Sequence, residues 1–368
     1  MMEWRRWLRR GVGALLTPIM VGAQTIRISP TPSVRIGASE QQSELLNAVA
    51  GATRLPSGQI VVGNRGDYAL LVFDANGQLL KKLARKGKGP GEVEYLLWLH
   101  RCGDAMYTGD ITGERVQEFG ADLSFRRAFR FGGQTYRLAC NAKGQFVHMG
   151  WDDHRGIQGG VYRPTSRYWL TPADSTPGTT LGTHPGSERF GTIGNTGKVT
   201  GTGPRVLGRE PRVAIGPDAA YIALADSLSV LAFDLSGAPR PALRAAFTPP
   251  ATTAGDVDAE IERLVGSLGE SMRRTMTASL REMPRPSTLP ATRDLLVDAT
   301  GLVWVQAYPS ASQRTVTWTV FRANGTIAAR VALPVSFEVF EIGRDYLLAQ
   351  VINAATGVPE VHLYPVAR

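Results

Sequence analysis

The chain has 368 residues, 43% of them hydrophobic and 20% charged, which is enough apolar material for a full-sized core. With 41 glycines and 23 prolines and only one run of apolar residues at helical spacing, it predicts many short strands joined by turns, within a single large all-β unit. The net charge of +9 falls to about +6 once the N-terminal segment described next is removed; for an exported chain this argues against nucleic acid and leaves anionic glycans, lipid head groups or acidic proteins as partners.

Met1 to Arg10 carries Arg5, Arg6, Arg9 and Arg10 against Glu3, and Gly11 to Ala23 is apolar and uncharged. Val21-Gly22-Ala23 puts small or modest side chains at the −3 and −1 positions before Gln24, so residues 1–23 are expected to be a cleaved export signal. The apolar run is shorter than the roughly 20 residues that span a bilayer, which leaves a membrane-surface helix as the alternative. No cysteine follows the run, which argues against a lipid anchor. Arg5-Arg6 loosely resembles a twin-arginine signal and leaves the route open. The mature chain is expected to have no transmembrane segment and to be periplasmic or extracellular.

From Gln24 onward one pattern recurs. A spare strand, "TIRISPTPSVRIG", comes first. Then a polar turn, an alternating strand, a gap and a second strand ending in Phe repeat: "LPSGQIVVGN" with "LLVFDANGQLLKKL", and "CGDAMYTGD" with "RVQEFGADLSFRRAF". "NAKGQFVHMGW" with "SRYWLTPADSTPGTTL" is a less regular third unit. "GPDAAYIALAD" with "LSVLAFDLSGAPRPAL", and "VDATGLVWVQAY" with "TWTVFRANGTIAARV", continue the series. "IGRDYLLAQV" with "PEVHLYPVAR" ends it. Units of roughly 40 residues with about four strands bury both faces only when stacked radially, which predicts a six-bladed β-propeller. The units start near Leu46, Val93, Gln134, Arg205, Ala291 and Ser336. The last unit runs out of chain after its third strand, and pairing the spare N-terminal strand as its outer edge would close the ring over 24–368. A seven-bladed ring or a two-sheet sandwich is the alternative.

"RKGKGPGE", Arg85 to Glu92, lacks the G-x-x-x-x-G-K-[ST] spacing and the following helix of a phosphate loop. Its glycines suit a chain reversal between units, and "GTHPGSERFG", Gly182 to Gly191, reads as a degraded copy of that linker after unit three. Between units four and five, residues 253–286 place Val257, Ile261, Leu264, Val265, Leu268, Met272, Met276, Leu280 and Met283 at helical spacing. Thr253 or Asp256 can cap this α-helical insertion, and Gly266 and Gly269 can split it. It is expected to lie on one face of the ring, apolar stripe down, as a cap over the channel mouth or as a partner-docking or ligand-gating element.

The linker "GKGPGE", the "FDANG" turn and "LVDATGLVWVQ" resemble the NHL-type six-bladed propellers, and most closely the exported bacterial branch of that group. The resemblance covers nearly all of the mature chain. It implies the fold and says little about activity, because such propellers serve as scaffolds, sensors and occasional enzymes.

Cys102 and Cys140 each close the innermost strand of adjacent units, so export favours a disulfide between them, with two buried thiols as the alternative. His100, His148, His154, His184 and His362 form no metal-binding spacing, and no catalytic-elbow serine is present. The best polar cluster is "WDDHRG" after the second strand of unit three, with "NRGD" and "GDITGE" at the comparable places in units one and two. Arg65, Asp67, Asp110, Trp151, Asp152, Asp153 and His154 could converge near the channel to bind a sugar or a divalent cation such as calcium; solvated hairpin loops are the plainer account. The expectation is a monomeric, non-catalytic scaffold for a protein or glycan partner, needing no cofactor. A metal-dependent lactonase- or lyase-like enzyme at the channel is the rival.

Overall fold

The computed structural model describes residues 25–39, 42, 45–110, 115–130, 137–150, 157–173, 178–266 and 268–368. The expected export signal lies outside them. The described chain is nearly all β. The first sheet joins β3 (Val49–Arg54), β4 (Ile60–Asn64), β5 (Ala69–Phe73) and β6 (Leu79–Leu83). Here β1 (Arg27–Ile28) and β2 (Val34–Ile36) precede it. The second joins β7 (Leu96–Cys102), β8 (Ala105–Asp110), β9 (Arg115–Phe119) and β10 (Phe125–Phe129). The third joins β11 (Arg137–Cys140), β12 (Gln145–Met149), β14 (Thr165–Pro172) and β15 (Thr179–Pro185).

After these come β18 (Arg212–Ile215), β19 (Ala219–Ala223), β20 (Ser229–Asp234) and β21 (Pro239–Arg244) in one sheet. The next contains β22 (Thr292–Val297), β23 (Val303–Ala307), β24 (Thr315–Phe321) and β25 (Ile327–Pro334). The last contains β26 (Glu338–Ile342), β27 (Tyr346–Ile352) and β28 (Pro359–Ala367), with β1 and β2 both paired antiparallel to β28. The chain's two ends therefore share one sheet.

The first strands of these sheets neighbour one another in the cycle β3, β7, β11, β18, β22, β26 and back to β3. The packing follows the same cycle. Each apolar cluster between sheets draws on two neighbours: Phe73 and Leu71 meet Leu348 and Val361 across the chain ends, and Leu70 and Val72 meet Leu96 and Met106 in the next pair. Middle strands such as β5, "ALLVF", are buried throughout, whereas outer β6, "LLKKL", is exposed. This is the arrangement of a β-propeller, in which each sheet buries both faces against its neighbours.

The turns explain why the repeats are legible. In "FDANG", the Asp74 carboxylate accepts from the backbone N–H of Asn76 at 2.9 Å and of Gln78 at 2.8 Å, and Gly77 takes φ +85°. In "FDLSG", Asp234 accepts from Ser236 and Ala238, and Gly237 takes φ +92°. An L side chain at either glycine would be strained.

Two features depart from expectation. Gly182 to Gly191 is no interblade linker: its start belongs to β15 and its end to β16 (Arg189–Ile193). With β13 (Gly160–Tyr162) and β17 (Val199–Pro204), β16 builds an additional three-stranded sheet that the weak Gly- and Thr-rich pattern did not signal. The helical segment divides near Gly266 and Gly269, as those glycines allow, into α1 (Ala254–Val265) and α2 (Glu270–Arg281), and it is the packing of α2 that departs from expectation. Thr253 caps α1 in a reciprocal box with Asp256, and Ile261 and Val265 pack on Val206, Leu207 and Leu289. In α2 only Leu280 is buried, so its Met272 and Met276 face outward instead of down.

Cys102 and Cys140 form a disulfide with Cα atoms 5.6 Å apart, joining the ends of β7 and β11. The imidazoles of His100 and His148 stack on Trp98 and Trp169 at 5.1 and 5.3 Å, and burial pulls both down to about 4. Both rings are thus neutral in the fold while the unfolded chain protonates near 6.5. The stability this contributes is complete above pH 6.5 and is lost as pH falls toward 4, by up to about 3 kcal/mol per histidine. Urea midpoints measured from pH 7 to 4 should fall steadily, and the slope should shrink in His148→Asn; a flat profile in the parent protein would contradict this.

Candidate functional site

The two faces of the ring differ. Among the described residues, links from first to second and from third to fourth strand are two to five residues long and lie on one face. Their neighbours touch round the ring: Asn141 Nδ2 donates to the Gly216 carbonyl at 3.1 Å, and Lys143 Nζ to that of Pro217 at 2.7 Å. Among the described residues, the second-to-third-strand links and the links between sheets lie on the other face. That face receives every long insertion among the described residues: β13, the β16–β17 hairpin, and α1 with α2. This is the decorated face, and the one that carries the tight turns is the plain face.

The first strands begin at the decorated face, and charged side chains occupy several of those starts. Arg137 of β11 and Arg212 of β18 both bind the carboxylate of Glu210, the latter at 3.1 Å, and Arg212 Nε lies 3.9 Å from Asp294 of β22. Burial alone would lift the Glu210 carboxyl, but Arg137 and Arg212 overcome it and hold the group down at about 2. Burial, with Arg212 alongside, lowers Arg137 to about 10. Burial lifts the Asp294 carboxyl despite Arg212, and burial followed by the Asp294 charge lifts that of Glu338. Glu338 nonetheless stays open to water and accepts from Gln350 Nε2 at 3.3 Å. Groups that water reaches, yet that protein surrounds, are what a funnel lined by strand ends produces.

Helix α1 reaches over this mouth. Its Glu260 and Arg263 pair at 2.6 Å, and Arg263 interacts electrostatically with Tyr308 and Glu210 below. The buried Asp256 carboxylate accepts from the Ala311 backbone N–H at 2.6 Å, which ties the start of α1 to the loop after β23.

The sequence-predicted residues fall as follows. Arg65 lies beside the mouth: its guanidinium stacks on Tyr95 at 5.1 Å, donates to the carbonyls of Leu96 at 2.6 Å and Leu97 at 3.2 Å, and acts on Glu338 electrostatically. Asp67 accepts from Asn64 Nδ2 at 2.7 Å. Asp110 is buried and accepts the backbone N–H groups of Glu94 at 2.7 Å and Tyr95 at 3.2 Å, bracing the entry to β7. Trp151, Asp152, Asp153 and His154 lie outside the described residues. Among the described residues no group of three His, Cys, Asp or Glu side chains is placed to hold a metal ion.

Sequence reasoning missed Arg137, Glu210, Arg212, Arg293, Asp294 and Glu338. The signal was present as charge at the start of otherwise apolar first strands: "YRLAC", "EPRVAI", "TRDLLV" and "FEVFEI". The "RKGKGPGE" linker needs no ligand to explain it. The Arg115 guanidinium donates to the carbonyls of Gly87 and Glu92, and the Glu92 carboxylate accepts from the Gly89 N–H and from Arg85. That linker joins β6 to β7 at the decorated rim, whereas a second acidic hub sits at the opposite end of the first strands. There Glu341 accepts from Thr53 Oγ1 at 2.5 Å, Arg101 Nη2 at 2.8 Å and Tyr346 Oη at 2.5 Å, tying three sheets together.

Among the described residues no helix is long and apolar enough to cross a membrane. No protein-family model matches the sequence, and no curated protein matches it. Solved structures do resemble it. One is a Bacteroides fragilis protein inferred to be exported, with 13% identity and a TM-score of 0.50, over 93% of this chain and 95% of that one. Another is a member of the DUF4221 family from Bacteroides vulgatus, with 9% identity and a TM-score of 0.52, over 94% of this chain and 100% of that one. At such identities the likeness is one of fold.

Proposed function

We propose that this chain is an exported, monomeric, six-bladed propeller of the NHL-like type that acts as a non-catalytic scaffold, engaging a protein or glycan partner through its decorated face. The closed cycle of first strands and the shared chain-end sheet support the six-blade count, with the helices inserted between blades four and five. The charged-then-apolar N-terminal segment and the disulfide support export.

One observation carries the assignment of the face. Eleven large apolar side chains are exposed among the described residues. Eight of them belong to the decorated face: Tyr95, Ile157, Val161, Ile193, Val199, Met272, Met276 and Ile352. Scattered exposed apolar residues need no explanation, but concentration on one face marks a binding surface. Aromatic residues and methionine are also the types enriched at interfaces.

The test is a triple variant, Ile193→Glu, Met272→Glu and Met276→Glu, compared with a control, Leu79→Glu and Leu80→Glu, on outer strand β6. Both should melt like the parent. In pull-downs from an envelope fraction, the triple variant should retain at least tenfold less protein than the parent, and the control should retain as much as the parent. The reverse pattern would move the interface off this face.

A further inference from the structure

At the mouth, two guanidiniums have no carboxylate within ion-pairing distance among the described residues, and each rests on a tyrosine. Arg65 lies on Tyr95 at 5.1 Å, and Arg293 lies on Tyr308 at 5.8 Å. An arginine stacked on an aromatic ring keeps its planar group oriented. Arg65 already donates Nε and Nη2 to the carbonyls of Leu96 and Leu97, which fixes its plane and leaves Nη1 for a ligand, so the bidentate carboxylate grip falls to Arg293. Arg293 also occupies a β-bulge: the register of β22 against β23 shifts between Thr292 and Asp294. Bulges recur beside binding sites because they re-aim a side chain, and this one places Arg293 and Asp294 together at a strand start.

Glu338 opens the intervening strand β26, between the sheets that carry Arg293 and Arg65, and both arginines act on it electrostatically. It is exposed, with Gln350 as its hydrogen-bond partner. A bare anion such as phosphate would meet these arginines but also the oxygens of Glu338 and Asp294, which it cannot satisfy. A neutral sugar would satisfy those oxygens and leave both arginines without an anion. The two requirements are met together by a ligand that carries a carboxylate and several hydroxyl donors on one ring.

We propose that the decorated mouth binds a hydroxylated carboxylate of the sugar-acid class, with Arg293 and Arg65 taking carboxylate oxygens and Glu338 and Asp294 accepting from ring hydroxyls. This rests on the decorated face being the working face and names the ligand chemistry of its centre. The same chemistry is presented by a polymeric uronide or by a free sugar acid, and the experiment separates them.

The mature protein is titrated calorimetrically at fixed ionic strength with tri-galacturonate, monomeric galacturonate, neutral maltotriose and inorganic phosphate. Binding of at least one uronate, with no binding of maltotriose and at least tenfold weaker binding of phosphate, is expected. Tighter binding of the trimer identifies a polymer as the source, and equal binding identifies the free acid. Arg293→Gln and Glu338→Gln should each weaken uronate binding at least tenfold without moving the melting temperature. Arg274→Gln, on exposed helix α2, should leave it unchanged. Phosphate binding as tight as uronate, equal uronate binding by Arg293→Gln, or no uronate binding by folded protein would overturn the proposal. If uronates fail to bind while retention of envelope protein is still lost in the Ile193, Met272 and Met276 variant, the ligand assignment falls and the face assignment stands.

Discussion

A mature chain from which residues 25–36 are deleted is expected to lose its cooperative fold. Those residues include β1 and β2, which pair with β28 near the other end of the sequence: Arg27 opposite Ala367, and Ile36 opposite Val361. Val34 and Ile36 are 8% and 0% exposed and pack into the cluster that joins the last sheet to the first. Arg35 also binds the buried Glu360 carboxylate at 2.9 Å, and His362 Nε2 contacts the same carboxylate at 2.6 Å. Deletion would uncover the β28 edge, strand the Glu360–His362 pair and open the apolar cluster at once. An uncovered edge of that kind templates aggregation. The milder Ile36→Ala should cost about 2–5 kcal/mol, as for other large-to-small changes in a packed core. Gel filtration and a thermal melt decide the matter: a deletion protein that stays monodisperse and melts in one step at the parent temperature would show that the chain ends do not close the structure.

Replacing Cys102 and Cys140 together by alanine is expected to be the next largest effect. The bridge closes a loop with a sequence separation of 38. Loop-closure entropy places its value at about 4 kcal/mol, an upper figure that depends on the model used. It also ties β7 to β11 at the plain-face end, where Cys102 packs with Tyr107 and Phe146. The double variant should show a lower urea midpoint than the parent, and the parent in reductant should approach it. Equal midpoints in all three samples would mean that inter-sheet packing alone holds these strands.

Much of the fold was legible because the same local chemistry recurs. "FDANG" and "FDLSG" write a capped turn into the sequence, and strands such as "ALLVF" and "LLKKL" declare a buried and an outer position by composition. The sheet of β13, β16 and β17 was not legible, because "VTGTGP" and "GVY" have too little apolar alternation to stand out from a loop. For α2 the spacing was correctly helical, but spacing does not say what covers a stripe, and Met276 lies beyond the packing that buries Leu280. The mouth was harder still. Its residues come one or two per sheet from positions far apart in the chain, so only the ring closure brings Arg137, Arg212, Asp294 and Glu338 near one another. The polar loops drew attention in the sequence, yet Asp110 turned inward to hold backbone N–H groups, which no spacing could have disclosed.

The most direct test of the decorated face is hydrogen–deuterium exchange on the mature protein, with and without an added envelope fraction. Slowed exchange is predicted at β16–β17, α2 and the loop at 308–314. Protection confined instead to the tight turns at 74–78, 234–238, 298–302 and 322–326 would place the working surface on the opposite face and contradict the account.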